Sequence, residues 1–183
     1  MEDIIGYTVA GLLVLSAALL GTLIPGGPIE NRNFSHIPPV KLAMFNVFLT
    51  VLGIGSFALV YFAIIGAGPA FVVAALFGLA YFFVYALDLG KIFPVSPDGM
   101  PRALFWIEVV GLILSIPLMV LSLASIFMAN GGVHAPAAMS SSLVILIALT
   151  IVLGIGIVIF ATRAAMRKSP GKADSAAEQK RQG

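Results

Sequence analysis

The chain has 183 residues, 60% of them hydrophobic and 10% charged, with a formal net charge of +2; a soluble domain carries about 25% charged residues. So apolar a chain has too little polar surface to cover itself in water, and its expected solvent is lipid. It contains no cysteine, which excludes disulfides, iron–sulfur ligation and thiolate catalysis.

Five apolar runs reach the roughly 17–25 residues that a bilayer requires. They are Ile4–Ile24, Leu42–Ile65, Pro69–Leu87, Ala103–Met128 and Leu143–Thr162. All are apolar on every side and lack the alternation of barrel strands. The expected fold is therefore an all-α bundle of five transmembrane helices over residues 1–162, followed by a basic, disordered tail at 163–183. The opening Met1-Glu2-Asp3 is acidic where a cleaved signal peptide is basic, so the first run is read as a span.

Charge placement sets the expected threading. The basic residues are Arg32, Lys41, Lys91, Arg102, Arg163, Arg167, Lys168, Lys172, Lys180 and Arg181. Five spans put all of them on one side, whereas four or six would divide them. The positive-inside rule then places the C-terminus in the cytoplasm, the N-terminus outside and the chain in the cell membrane.

In the first connection, residues 25–41, Gly and Pro end the first helix and Pro38-Pro39 start the second. Pro-Gly-Gly is read as a non-helical loop rather than a phosphate cradle. Asn33-Phe34-Ser35 has the glycosylation pattern on the wrong side for it. The second span carries Asn46, Thr50, Gly53, Phe57 and Tyr61 on one stripe. Gly66-Ala67-Gly68-Pro69 is long enough only to turn, so spans two and three are expected to be antiparallel neighbours. The third span aligns Ala74, Gly78, Tyr81, Tyr85 and Asp88, small residues that let helices approach closely, then tyrosines, then an acid.

Ser96-Pro97-Asp98-Gly99 has turn composition, and Pro101 suits a helix start. The fourth span aligns Glu108, Gly111, Ser115, Leu118, Ser122 and Ser125. Its Pro117 removes one backbone bond and is expected to kink the helix. The fifth span offers Thr150, Gly154 and Ala161 and no ionisable group, and reads as a packing helix.

The polar candidates gather in the half of the bundle nearest the basic loops. Asn46 lies five residues past Lys41 and Glu108 six past Arg102, roughly 7–9 Å inward at helical rise. If their stripes face one another, Asn46, Tyr81, Tyr85, Asp88 and Glu108 line one pocket. Glu108 is the sharpest: an acid inside a span needs a partner or a proton. It reads either as a proton-accepting or cation-binding group or as an interhelical hydrogen bond. Arg102 projects from roughly the opposite face, which leaves Lys41, Lys91 or a tyrosine hydroxyl as its expected partner. Asp88 fits an interfacial i, i+3 pair with Lys91.

The two histidines, His36 and His134, fall on opposite sides and cannot share a metal or a haem. No cofactor or metal is expected, and no nucleic-acid partner, because topology accounts for the basic residues. The expected partners are the lipid bilayer, partner membrane subunits or further copies of the chain. The composition favours a non-catalytic accessory subunit or a binder of a lipid-like ligand. The alternatives are a transporter or channel subunit, or a membrane enzyme using Glu108 and Asp88 as acid and base on a lipid-soluble substrate.

Overall fold

The computed structural model describes residues 2–25, 27–128, 152 and 154–164. Among them the chain forms α1 (Glu2–Thr22), α2 (Pro39–Ile64), α3 (Gly68–Leu89), α4 (Arg102–Met128) and the short α5 (Gly154–Ala164), with no strand. The first four are long and apolar enough to cross a membrane. Of the expected fifth span, Leu143–Thr162, mainly the part within α5 is described. The connection at 129–142 and the tail from 165 onward lie outside the described residues.

Helix boundaries follow from local chemistry. Pro39 occupies the first turn of α2, where its missing N–H costs nothing. Pro101 caps α4, its carbonyl accepting the Phe105 N–H at 3.0 Å. The end of α3 is a Schellman motif: Ile92 N–H donates to Leu87 O at 2.8 Å and Lys91 N–H to Asp88 O at 2.9 Å. The left-handed residue of this motif is Lys91, at φ 54°, rather than a glycine. Helix α4 runs unbroken through Pro117.

Two close antiparallel pairs make the core. Helices α3 and α4 share the most extensive interface. A Cβ on Gly78 would lie 2.8 Å from the Met119 backbone nitrogen, and one on Gly111 would run into the Tyr85 ring. Residue 78 thus faces 119 and 85 faces 111, a register that also brings Asp88 opposite Glu108. Helices α1 and α2 touch at Gly6, where a Cβ would lie 2.7 Å from the Ala63 carbonyl oxygen. On α1 the buried stripe is Val9, Leu13, Ser16, Ala17 and Leu20, which turns toward α2 and α4.

Helix α5 lies antiparallel to α2. Thr162 meets Asn46 near the start of α2, and Gly154 meets Thr50 and Ile54 further along it. The described basic residues Arg32, Lys41, Lys91, Arg102 and Arg163 therefore all flank helix ends at one side of the bundle, the basic end. The outside of the bundle is apolar, with Met44, Phe48, Val51, Trp106, Ile113 and Phe127 exposed among many others. An exterior of this kind is compatible with a membrane location.

Candidate functional site

The α1–α2 connection packs against the α3–α4 connection at the basic end. Phe34, Ile37 and Leu42 form a small apolar cluster with Phe93 packed on it, tying this connection to the α3–α4 connection. Asn33 N–H donates to Asp98 Oδ2 at 3.0 Å, and Ser96 Oγ–H donates to the Asn33 carbonyl at 3.1 Å. Ser96 Oγ in turn accepts the Asp98 N–H at 3.2 Å. These bonds fix the two connections against each other and aim Arg32 into the bundle.

Arg32 is the centre of the site, its side chain only 5% exposed. Nη1 and Nη2 donate to the two carboxylate oxygens of Asp88 at 2.8 and 2.7 Å, a parallel two-bond fork. Nε donates to both oxygens of Glu30 at 3.0 and 3.1 Å, and Nη2 also donates to Glu30 Oε2. The Arg32 backbone N–H closes the ring at 3.0 Å on Glu30 Oε1. Phe34 lies 5.3 Å below the guanidinium, in cation–π range. Burial works against the charged guanidinium, but the hydrogen bonds and charges of Asp88 and Glu30 outweigh it and raise its pKa further. Arg32 is a permanent cation held between two anions.

Glu108 enters from α4 and is fully buried. Its Oε1 is 3.9 Å from Arg32 Nη2, and neither of its oxygens has a hydrogen-bond partner among the described residues. The Tyr85 hydroxyl, also fully buried and without a hydrogen bond among the described residues, lies within electrostatic reach of it. Tyr85 and Tyr81 stack with centroids 6.2 Å apart, but the Tyr81 hydroxyl turns to Ser56 Oγ on α2 at 2.9 Å.

The structure thus brings Asp88, Glu108 and Tyr85 together and sends Tyr81 to a separate interhelical contact. Asn46 is buried beside the cluster. It lines, with Glu30, Arg32 and Asp88, a cavity of about 40 Å³, while its Nδ2 donates to Thr162 Oγ1 at 3.0 Å. Phe57 and Tyr61, from the same predicted stripe, are exposed. Asp88 pairs with Arg32, not with Lys91, and Arg32 is likewise the cation nearest Glu108.

Sequence reasoning missed both Glu30, to which it gave no role, and Arg32, which it counted only as a marker of sidedness. One signal was available. A buried acid needs a cation, and among the described basic residues Arg32 is the one farthest in sequence from a helix end, with room to reach inward.

Both Asp88 oxygens are occupied by Arg32, so Asp88 is not free to act as a base. Among the described residues no group of three or more His, Cys, Asp or Glu side chains is placed to hold a metal ion. No curated protein and no solved structure shows significant similarity to the chain. Residues 5–135, which hold the whole charged cluster, helices α2–α4 and all but the first three residues of α1, match the family described as Domain of unknown function (DUF8051), and the chain belongs to that family.

Proposed function

We propose that this protein is a non-catalytic, multi-pass protein of the cell membrane that holds a lipid-like molecule against α2. The observation that carries the reading is a groove of about 520 Å³ between α2 and α5, lined by Val47, Thr50, Val51, Ile54, Gly154 and Val158. Its size falls within the roughly 300–1,000 Å³ of small-molecule sites. Its walls are almost wholly apolar, so the chemistry they fit is a hydrocarbon chain. A second apolar cavity of about 150 Å³, between α1, α2 and α5, adjoins it through Thr50 and Ile54 and reaches Asn46. That gives a chain-like ligand a polar group near the basic end.

The orientation belongs to the same reading. By the positive-inside rule the basic end faces the cytoplasm, the start of α1 faces outward, and α5 completes a fifth span. The engagement of both Asp88 oxygens by Arg32 weighs against acid–base chemistry on a lipid-soluble substrate. An accessory subunit would use the same α2 face for a partner helix.

The test is native mass spectrometry of the full chain in mild detergent, with Val51→Trp as the variant. Val51 is 59% exposed on the groove wall, so tryptophan fills the groove without entering the core. The wild type is expected to carry lipid-mass adducts that the variant loses. A bare wild-type chain, or equal adducts on both proteins, would overturn the reading.

A further inference from the structure

We infer that Glu108 holds one exchangeable monovalent cation, a proton or an alkali-metal ion, inside the basic end of the bundle. The site is independent of the α2–α5 groove.

The first argument is a count of donors. Arg32 has five N–H groups. The Nε hydrogen goes to Glu30, and the two Nη2 hydrogens go to Glu30 Oε2 and Asp88 Oδ2. Nη2 is the guanidinium atom nearest Glu108, at 3.9 Å, yet neither of its hydrogens is free for the Glu108 carboxyl. Arg32 therefore offers charge to Glu108 without a hydrogen bond.

The second argument is a count of charges. One guanidinium faces three carboxyl groups: Glu30, Asp88 and Glu108. It is bonded to the first two, which leaves Glu108 as the acid whose charge is not taken up. One guanidinium charge does not balance three buried carboxylates, so a further positive charge is required at the Glu108 oxygens.

The third argument is the neighbouring ligand. The Tyr85 hydroxyl is buried within electrostatic reach of Glu108, has no hydrogen-bond partner among the described residues, and offers a neutral oxygen. The ionisable groups facing Glu108 are Asp88 on α3, placed to accept a hydrogen bond from Glu108 when that carboxyl carries a proton, Tyr85 on α3, and Arg32 and Glu30 in the α1–α2 connection. Tyr7 on α1 and Lys41 and Tyr61 on α2 are exposed on the outside of the bundle. Two carboxyl oxygens and one hydroxyl beside a fixed guanidinium suit a single charge, and the described residues offer no ligand set for a multiply charged ion.

The experiment uses the full chain in lipid nanodiscs, with the glutamates ¹³C-labelled and the Glu108 signal assigned by its loss in Glu108→Gln. The carboxyl signal is read by infrared and solid-state NMR in H₂O and D₂O. Melting temperature is read in sodium chloride against choline chloride at equal ionic strength. A proton at the site gives a carboxylic-acid signal that shifts on deuteration and is missing in Glu108→Gln. An alkali ion gives a carboxylate signal and a sodium-dependent rise in melting temperature that Glu108→Gln abolishes. Either outcome supports the site and says which cation fills it. A Glu108 carboxylate insensitive to both deuteration and sodium overturns it. The wild-type spectra decide this even if the variant fails to assemble, because Glu2→Gln, Glu30→Gln and Glu178→Gln controls assign the other three glutamate signals.

Discussion

Replacing Arg32 by methionine probes the feature on which the basic end depends. Methionine keeps much of the length and the apolar stem but removes the charge and all five N–H donors. In the native protein those donors make the two-bond fork to Asp88 and the chelate around Glu30, with side-chain exposures of 9% and 4% for the two acids. Their loss leaves two buried carboxyls without a counter-charge. Breaking a buried pair by removing one partner typically costs about 3–5 kcal/mol. Arg32→Lys keeps the charge but cannot fork, so it is expected to cost roughly half as much. The permanence of the cation also fixes the pH dependence. The pKa of Arg32 is raised, so its contribution is fully present below the ordinary arginine value and is lost only as pH climbs through a still higher one. The assay is unfolding in detergent micelles, followed by steric trapping or fluorescence-detected thermal melting. A triple replacement, Arg32→Met with Glu30→Leu and Asp88→Leu, should recover most of the loss, because apolar isosteres of a buried ion cluster are often neutral. An Arg32→Met protein within about 0.5 kcal/mol of wild type would refute the reasoning, since that is the range of an ordinary surface substitution.

Other predictions test the packing. Gly111→Ala puts a methyl group into the Tyr85 ring and should destabilise the chain by about 1–3 kcal/mol. Gly11→Ala, where nothing lies within 4 Å, is the matched control and should leave the melting temperature unchanged or raise it. Lys91→Gly removes a left-handed lysine at the end of α3 and should stabilise by about 1 kcal/mol in the same melting assay. A loss of stability there would mean that the lysine side chain contributes more than its backbone conformation costs.

The extent to which the sequence discloses this protein can be followed along its helices. The third and fourth spans were legible to the residue. Ala74, Gly78, Tyr81, Tyr85 and Asp88, and Glu108, Gly111, Ser115, Leu118, Ser122 and Ser125, are all buried. Small and polar residues at helical spacing inside hydrocarbon have no reason to face lipid, so their stripe marks the interface. The second span was legible only near its start, because Phe57 and Tyr61 are as comfortable in lipid as in a core. The register that sets Asp88 opposite Glu108 follows from Gly78 and Gly111, yet sequence does not say which helix fills a glycine notch. The partner of the acids was not legible at all. Glu30 and Arg32 lie in an irregular segment without periodicity, and only the folded connection shows that it turns inward. The groove between α2 and α5 depends on how far apart two apolar helices sit, which side-chain pattern alone does not determine.

The most direct measurement of the functional account is the mass of the intact particle released from mild detergent. The account predicts a wild-type chain that retains one or more lipid-mass molecules and a Val51→Trp chain that retains fewer. A wild-type chain that flies as a bare monomer, with neither lipid nor protein partner attached, would contradict it.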